Sequence, residues 1–206
     1  MEKLYDSCGG KILVAGAKGF IGSAITKYLL SEGFDVLPVS REECDLCDSK
    51  SVDALFSDNS ITKIINCAAK TGFRNEAQTI DVFYENILIH ENLSRHPVDL
   101  FISLGSGDEF DHGKEVLDAK ESFLGTRIPE SFYGFSKYVI AKRVKGNNSQ
   151  VNLRLFGLFG PGESQDRFIS GSIRNIFNGE PIRVYEDVFM DFFYVEDLCK
   201  DRKSVV

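Results

Sequence analysis

Lys11-Ile12-Leu13-Val14-Ala15-Gly16-Ala17-Lys18-Gly19-Phe20-Ile21-Gly22 is the stretch that decides the fold. Its first five residues form an apolar run with two β-branched side chains, the pattern of a strand buried in a parallel sheet. Gly16 ends the run. From Phe20 to Leu30 the spacing turns helical, with Ile21, Ile25 and Leu29 on one face and Gly33 placed as a C-cap. The glycines therefore fall at a strand-to-helix turn, the context a dinucleotide fingerprint requires. Gly16 permits the tight turn, Gly19 lets the backbone approach a pyrophosphate, and Gly22 lets helix and strand pack closely. Free N–H groups at the helix start, around Phe20 and Ile21, favour that anion. The spacing is G-x-x-G-x-x-G, not the commoner G-x-G-x-x-G.

The rest of the chain repeats the same alternation. Strands are expected near 11–15, 34–39, 62–67, 98–104, 151–155 and 182–185. Helices are expected near 20–31, 50–57, 75–95, 131–145, 166–178 and 195–200. Strand and helix in turn imply an α/β fold, a doubly wound parallel sheet of Rossmann type. Residues 105 to 130 make a long polar connection, and connections of that length inside a compact domain are usually functional.

Two sites flank that connection. Ser106 follows the fourth strand, and Tyr133-Gly134-Phe135-Ser136-Lys137 opens the helix after it. Tyr133 and Lys137 lie four apart, on one helix face. A tyrosine that donates a proton to a carbonyl oxygen is expected to have its pKa pulled toward neutrality from about 10. The lysine charge can stabilise the tyrosinate and hold a nicotinamide ribose, and the serine hydroxyl can bond the substrate oxygen. A glycine loop, then Ser106, Tyr133 and Lys137 in that order, describes a hydride-transfer site.

These residues resemble the extended short-chain dehydrogenases/reductases, the NAD-dependent epimerase/dehydratase type that acts on nucleotide sugars. The resemblance runs from about Lys11 to Lys200. It includes Asn66-Cys67-Ala68-Ala69-Lys70, at the place of the family's cofactor loop, Asp45-Leu46, where the family contacts adenine, and Asn86 in the following helix. It also includes Leu153-Arg154-Leu155-Phe156-Gly157-Leu158-Phe159-Gly160-Pro161 and Asp191-Phe192-Phe193-Tyr194-Val195-Glu196-Asp197-Leu198. The first half is most similar to the GDP-fucose synthase type, whose "LGSS" loop matches Leu104-Gly105-Ser106. That type carries a cysteine where this chain has Asp108, and a histidine where it has Arg167. Asp108 and Arg167 are thus expected on the substrate side. The two exchanges count against epimerisation at ring carbons 3 and 5 and leave reduction or oxidation at carbon 4. Gly157 also replaces an asparagine found near the substrate diphosphate in many members.

What the resemblance implies is an enzyme acting by hydride transfer on a nucleotide-linked hexose, most directly a C4 keto reductase. A 4-epimerase or dehydratase stays open, as does a silent cofactor-binding sensor or scaffold of the same fold. Such silent proteins commonly lose the tyrosine or the lysine, and this chain keeps both. NADP(H) is the favoured cofactor, with NAD(H) open, because Ser40-Arg41 stands where an acidic residue would hold the ribose of NAD. A guanidinium suits a 2′-phosphate.

Composition sets the outer bounds. The 206 residues are 43% hydrophobic, enough for one sizeable core, and the formal net charge is −7 with no basic stretch, which argues against a nucleic-acid partner. No apolar run approaches the ~18 residues of a membrane span, and Met1 to Gly10 do not read as a signal peptide. Five cysteines, an odd number, suit reduced thiols in a cytoplasm. Cys44-x-x-Cys47 has no second pair at metal spacing, so no metal is expected. The expected division is a cofactor-binding domain over 11–165 and the start of a substrate-binding subdomain over 166–200. Family members run on beyond that point, so the sequence is expected to be a piece of a longer protein, with a homodimer allowed in a full-length form. Phe192, Phe193 and Leu198 are then expected to be exposed. Residues 201–206, Asp-Arg-Lys-Ser-Val-Val, can be encoded by GATCGGAAGAGCGTCGTG, a common sequencing-adapter string, and are expected to be a non-native tail.

Overall fold

Alternation within the first strand divides the core in two. The computed structural model describes residues 9–71, 78–110, 120–184, 187 and 190–200, and in it β1 (Lys11–Ala15) sits inside a parallel sheet. Leu13 and Ala15 face one side, against Val52, Ile89 and Leu93; Ile12 and Val14 face the other, against Leu29 and Ile25. Successive strand side chains point to opposite faces, so a strand covered on both sides must be apolar throughout.

The helices that cover these faces follow from the connections. After β1 come α1 (Phe20–Ser31), β2 (Val36–Val39), α2 (Ser49–Asp58), β3 (Ile61–Asn66), α3 (Ile80–Ser94) and β4 (Leu100–Ser106). The chain then passes two short 3-10 turns, Gly107–Phe110 and Glu121–Phe123, to α4 (Phe132–Val144) and β5 (Gln150–Leu155). The five strands lie in the order β2-β1-β3-β4-β5, all parallel. That is a doubly wound sheet of Rossmann type, and its strand order reverses between β1 and β3. Ligands of such sheets bind outside the carboxyl ends of the strands at that switch point.

α1 meets the sheet on the side of Ile12 and Val14, while α2 and α3 meet it on the side of Leu13. Asp48 starts α2 by accepting from the N–H groups of Lys50 and Ser51. Ser131 starts α4 by accepting from Gly134 N–H at 3.0 Å. Phe83 of α3 and Phe135 of α4 stack with centroids 5.1 Å apart, which joins the two helices.

The chain leaves the main sheet at Phe156. β6 (Gly157–Phe159) pairs in parallel with β7 (Phe192–Tyr194), with α5 (Phe168–Phe177) between them and α6 (Val195–Lys200) after. A strand was expected at 182–185 instead. Residues 182–184 are irregular, and Ile182 and Val184 are 47% and 68% exposed. The apolar alternation is there, but among the described residues no strand pairs with it, and strand propensity expresses little without a partner; residue 185 lies outside the described residues. The helix expected over 75–95 begins at Ile80; residues 75–77 lie outside the described residues, as does the tail 201–206. Phe192 and Phe193 are exposed, while Leu198 is half-buried.

Candidate active site

The glycine loop and the loop after β3 meet at the switch point. Gly16 has φ +77°, and a Cβ there would stand 2.8 Å from Ala68 N. Only glycine allows both the conformation and the contact. At Gly22 a Cβ would stand 2.1 Å from Gly16 O, which is the close helix-to-strand packing expected of the third glycine. Gly19 is the N-cap of α1 and provides no side chain to occupy its first N–H groups. Phe20 and Ile21, half-buried, open that helix. The result is a backbone concavity with donors at a helix start, suited to an anion.

Ala68, Ala69 and Lys70 form the facing wall. Buried Asn86 of α3 fixes it, accepting from Lys70 N–H at 2.7 Å and donating to Lys70 O at 3.0 Å. Asn86 also donates to Ser136 Oγ at 3.0 Å, so one amide ties this loop to α4. Asp45 and Leu46 lie in the turn after β2. Leu46 belongs to the core, its carbonyl bonded by Asn92 at 2.9 Å, while Asp45 is exposed.

Ser106, Tyr133 and Lys137 converge across β4 and α4. The Ser106 hydroxyl faces the Tyr133 phenol and favours its ionised form. Lys137 Nζ lies 5.7 Å from the Tyr133 ring centroid and donates to Leu104 O at 2.7 Å. Gln78 Oε1 accepts from Tyr133 N–H at 2.9 Å, anchoring the first turn of α4. Asp108 and Arg167 also face Tyr133 electrostatically, the first raising and the second lowering its pKa. Arg167 is the N-cap of α5.

The expected acidification of Tyr133 is not found. Burial pushes its hydroxyl up to about 12, and the nearby carboxylates of Asp108 and Glu109 add to the rise against Ser106 and Arg167. Tyr133 is therefore held as a neutral phenol in the protein alone. Burial lowers Lys137 to about 8, opposed by Glu109 and Cys67.

The end of β2 differs from the expected picture. Ser40 donates its N–H to Glu43 Oε2 at 2.8 Å and its hydroxyl to the same oxygen. Lys18 of the glycine loop pairs with Glu42 and with Glu43, the latter at 3.2 Å. These hydrogen bonds hold Glu43 down to about 2. Arg41 extends the other way, 3.7 Å from Glu85, which also pairs with Lys70. Lys18 is thus a second cation at this lip that sequence reasoning missed, although it stands inside the glycine loop. Glu109, Asn152 and Arg154 were missed too. They meet beneath Ser106, and an acid beside a strand end facing an arginine on the next strand is the signal that could have found them.

Cys44 is in the core and Cys47 is half-buried; burial raises both thiols, so neither is a reactive thiolate. Among the described residues no group of three His, Cys, Asp or Glu side chains could hold a metal ion, and no helix is long and apolar enough to cross a membrane.

Residues 12–200 match the NAD dependent epimerase/dehydratase family. GDP-L-fucose synthase of Escherichia coli is 29% identical over 140 residues, 64% of this chain and 42% of that protein. UDP-glucuronate 4-epimerase 1 of Arabidopsis thaliana is 24% identical over 96% of this chain and 55% of that protein. The chain thus spans about half the length, or less, of these curated relatives. The GDP-mannoheptose C4 reductase of Campylobacter jejuni, solved with NADP bound, superposes with a TM-score of 0.80 at 20% identity, covering 93% of this chain and 73% of that one.

Proposed function

Because the chain belongs to the NAD dependent epimerase/dehydratase family, we propose that it serves NADP(H)-dependent hydride transfer at a ring carbon of a nucleotide-linked hexose, most directly keto reduction at C4. The observation that carries this reading is the junction of β4 and α4. There a neutral Tyr133 phenol, facing Ser106, stands beside Lys137.

The residues fit a dinucleotide. The concavity that a Cβ at Gly16 would fill, and the uncapped start of α1 at Gly19, suit its pyrophosphate. Asp45 and Leu46 lie toward the adenine side, Ala68, Ala69 and Lys70 line the opposite wall, and Lys137 serves the nicotinamide ribose. When bound, the cofactor supplies the hydride. The chain's own groups do the rest. Ser106 holds the substrate oxygen and Tyr133 gives it a proton. Lys137 stabilises the phenolate left behind. Asp108 and Arg167 border the sugar. The names of relatives that act on GDP-linked sugars and of a C4 reductase solved with NADP support this reading. In this account 11–165 is the cofactor domain and 166–200 the start of the substrate-binding subdomain.

One observation favours a second reading, a 4-epimerase that keeps NAD and returns the hydride. Glu43 holds Ser40 at the end of β2, where an acidic group would bind ribose hydroxyls. A family-length form is given nucleotide-linked 4-keto hexoses with NADPH, followed by absorbance, and separately the matching 4-hydroxy hexoses, followed for 4-epimers, which separates the two. Substrate-dependent loss of NADPH supports the reductase. Interconversion of 4-epimers with no net NADPH loss supports the epimerase.

A further inference from the structure

Beneath Ser106 lies a buried pair of opposite charges that the hydride-transfer reading leaves unused. Glu109 is fully buried. Its carboxylate accepts from Ser106 N–H at 3.0 Å, from Asn152 Nδ2 at 3.0 and 3.1 Å, and from Arg154 Nε at 2.5 Å. Gly105 leaves the room: a Cβ there would stand 2.3 Å from Glu109 Oε1. Arg154 reaches on to Glu121, and its guanidinium lies 5.6 Å from the Phe110 ring centroid. A buried ion pair adds little net stability over apolar packing of the same volume. Its consequence lies in what it touches, the last turn of β4, where Leu104 O receives Lys137 and Ser106 projects into the site.

We propose that Glu109 is a positioning residue of this site: it fixes the backbone that carries Ser106 and sets a buried carboxylate facing Lys137. The inference rests on reading Ser106, Tyr133 and Lys137 as the hydride-transfer site. Lys137 is faced by Glu109 from the 3-10 turn, by Tyr133 on its own helix, by Cys67 after β3 and by His90 of α3. Burial holds Tyr133 and Cys67 up at about 12 and His90 down at about 4, so all three are neutral near pH 7. Of these four groups Glu109 is the carboxylic acid, and it is paired with Arg154.

The test is the titration of Lys137 in the 206-residue chain with neither substrate nor cofactor present. Protein labelled at lysine 13Cε is followed by NMR, with the Lys137 signal assigned by its loss in Lys137→Met. The wild type is expected to titrate near pH 8. Glu109→Gln keeps the shape and removes the charge, and its midpoint is expected about one pH unit lower. Glu109→Asp, which keeps the charge, is expected to restore most of the difference. Should Glu109→Gln not fold with Arg154 left unpaired, Arg154→Gln is read instead: it keeps the Glu109 carboxylate, removes the cation that offsets it, and is expected to raise the midpoint. An unchanged midpoint in the folded variant overturns the proposal. NADPH titration of the wild type, run alongside, judges the functional reading separately. A lowered midpoint in a protein that binds no NADPH keeps the Glu109–Lys137 link and sinks the hydride-transfer assignment.

Discussion

Lys137 Nζ donates to the carbonyl of Leu104 at 2.7 Å, which ties an ammonium on α4 to the strand that ends in Ser106. Burial lowers that lysine from its ordinary 10.5 to about 8. The unfolded chain therefore holds the proton more tightly than the folded one. The resulting destabilisation is full below pH 8 and is relieved as pH rises from about 8 to 10.5. Lys137→Met removes it. The variant should exceed the wild type in unfolding free energy by on the order of 2 kcal/mol at pH 7, with the gain shrinking by pH 9.5. Urea unfolding at the two pH values checks this. A difference that does not change with pH would show that Lys137 is not the group responsible.

Tyr133 carries the proton in this account. Tyr133→Phe keeps the ring and removes the hydroxyl. In a family-length form that turns over, it should lower kcat by at least ~10²-fold, as for a lost general acid. NADP(H) affinity should stay nearly unchanged, because Lys137 and the glycine loop remain. Steady-state kinetics beside a fluorescence titration with NADPH measures both. Retained turnover would remove Tyr133 from the chemistry.

In this account cofactor choice turns on three charges at the end of β2. Arg41 and Lys18 are exposed cations on either side of Ser40, and Glu43 occupies its N–H and hydroxyl. Arg41→Ala and Lys18→Ala should each weaken NADPH roughly tenfold, the loss of one charge-assisted contact, with NADH little affected. Glu43→Gln should improve NADPH relative to NADH by removing a like charge. Equal wild-type affinities for the two cofactors would refute the preference for NADP(H).

Legibility in the sequence followed the range of each interaction. The β1–Gly16–α1 unit was readable because its signals are local: an apolar run, glycines at a turn, a helical period. Ser106, Tyr133 and Lys137 were singled out the same way, by order and by the i, i+4 spacing of the last two, and the structure brings them together. The strand expected at 182–185 failed because pairing depends on a partner, and Gly157–Phe159 instead meets Phe192–Tyr194 across a wide sequence gap. Tyr133 was expected to be acidified by its neighbours, but burial decides the direction, and burial comes from elements distant in the chain. The bond from Arg154 to Glu109 spans 45 residues, and no local pattern announces it.

The most direct measurement follows the hydride itself. A family-length form is supplied with NADPH deuterated at nicotinamide C4 and with a nucleotide-linked 4-keto hexose, and the product is read by NMR. The account predicts deuterium at sugar carbon 4, with its transfer slowed at least ~10²-fold in Tyr133→Phe. Consumption of NADPH with deuterium at any other carbon, or no transfer to any such sugar, would contradict it.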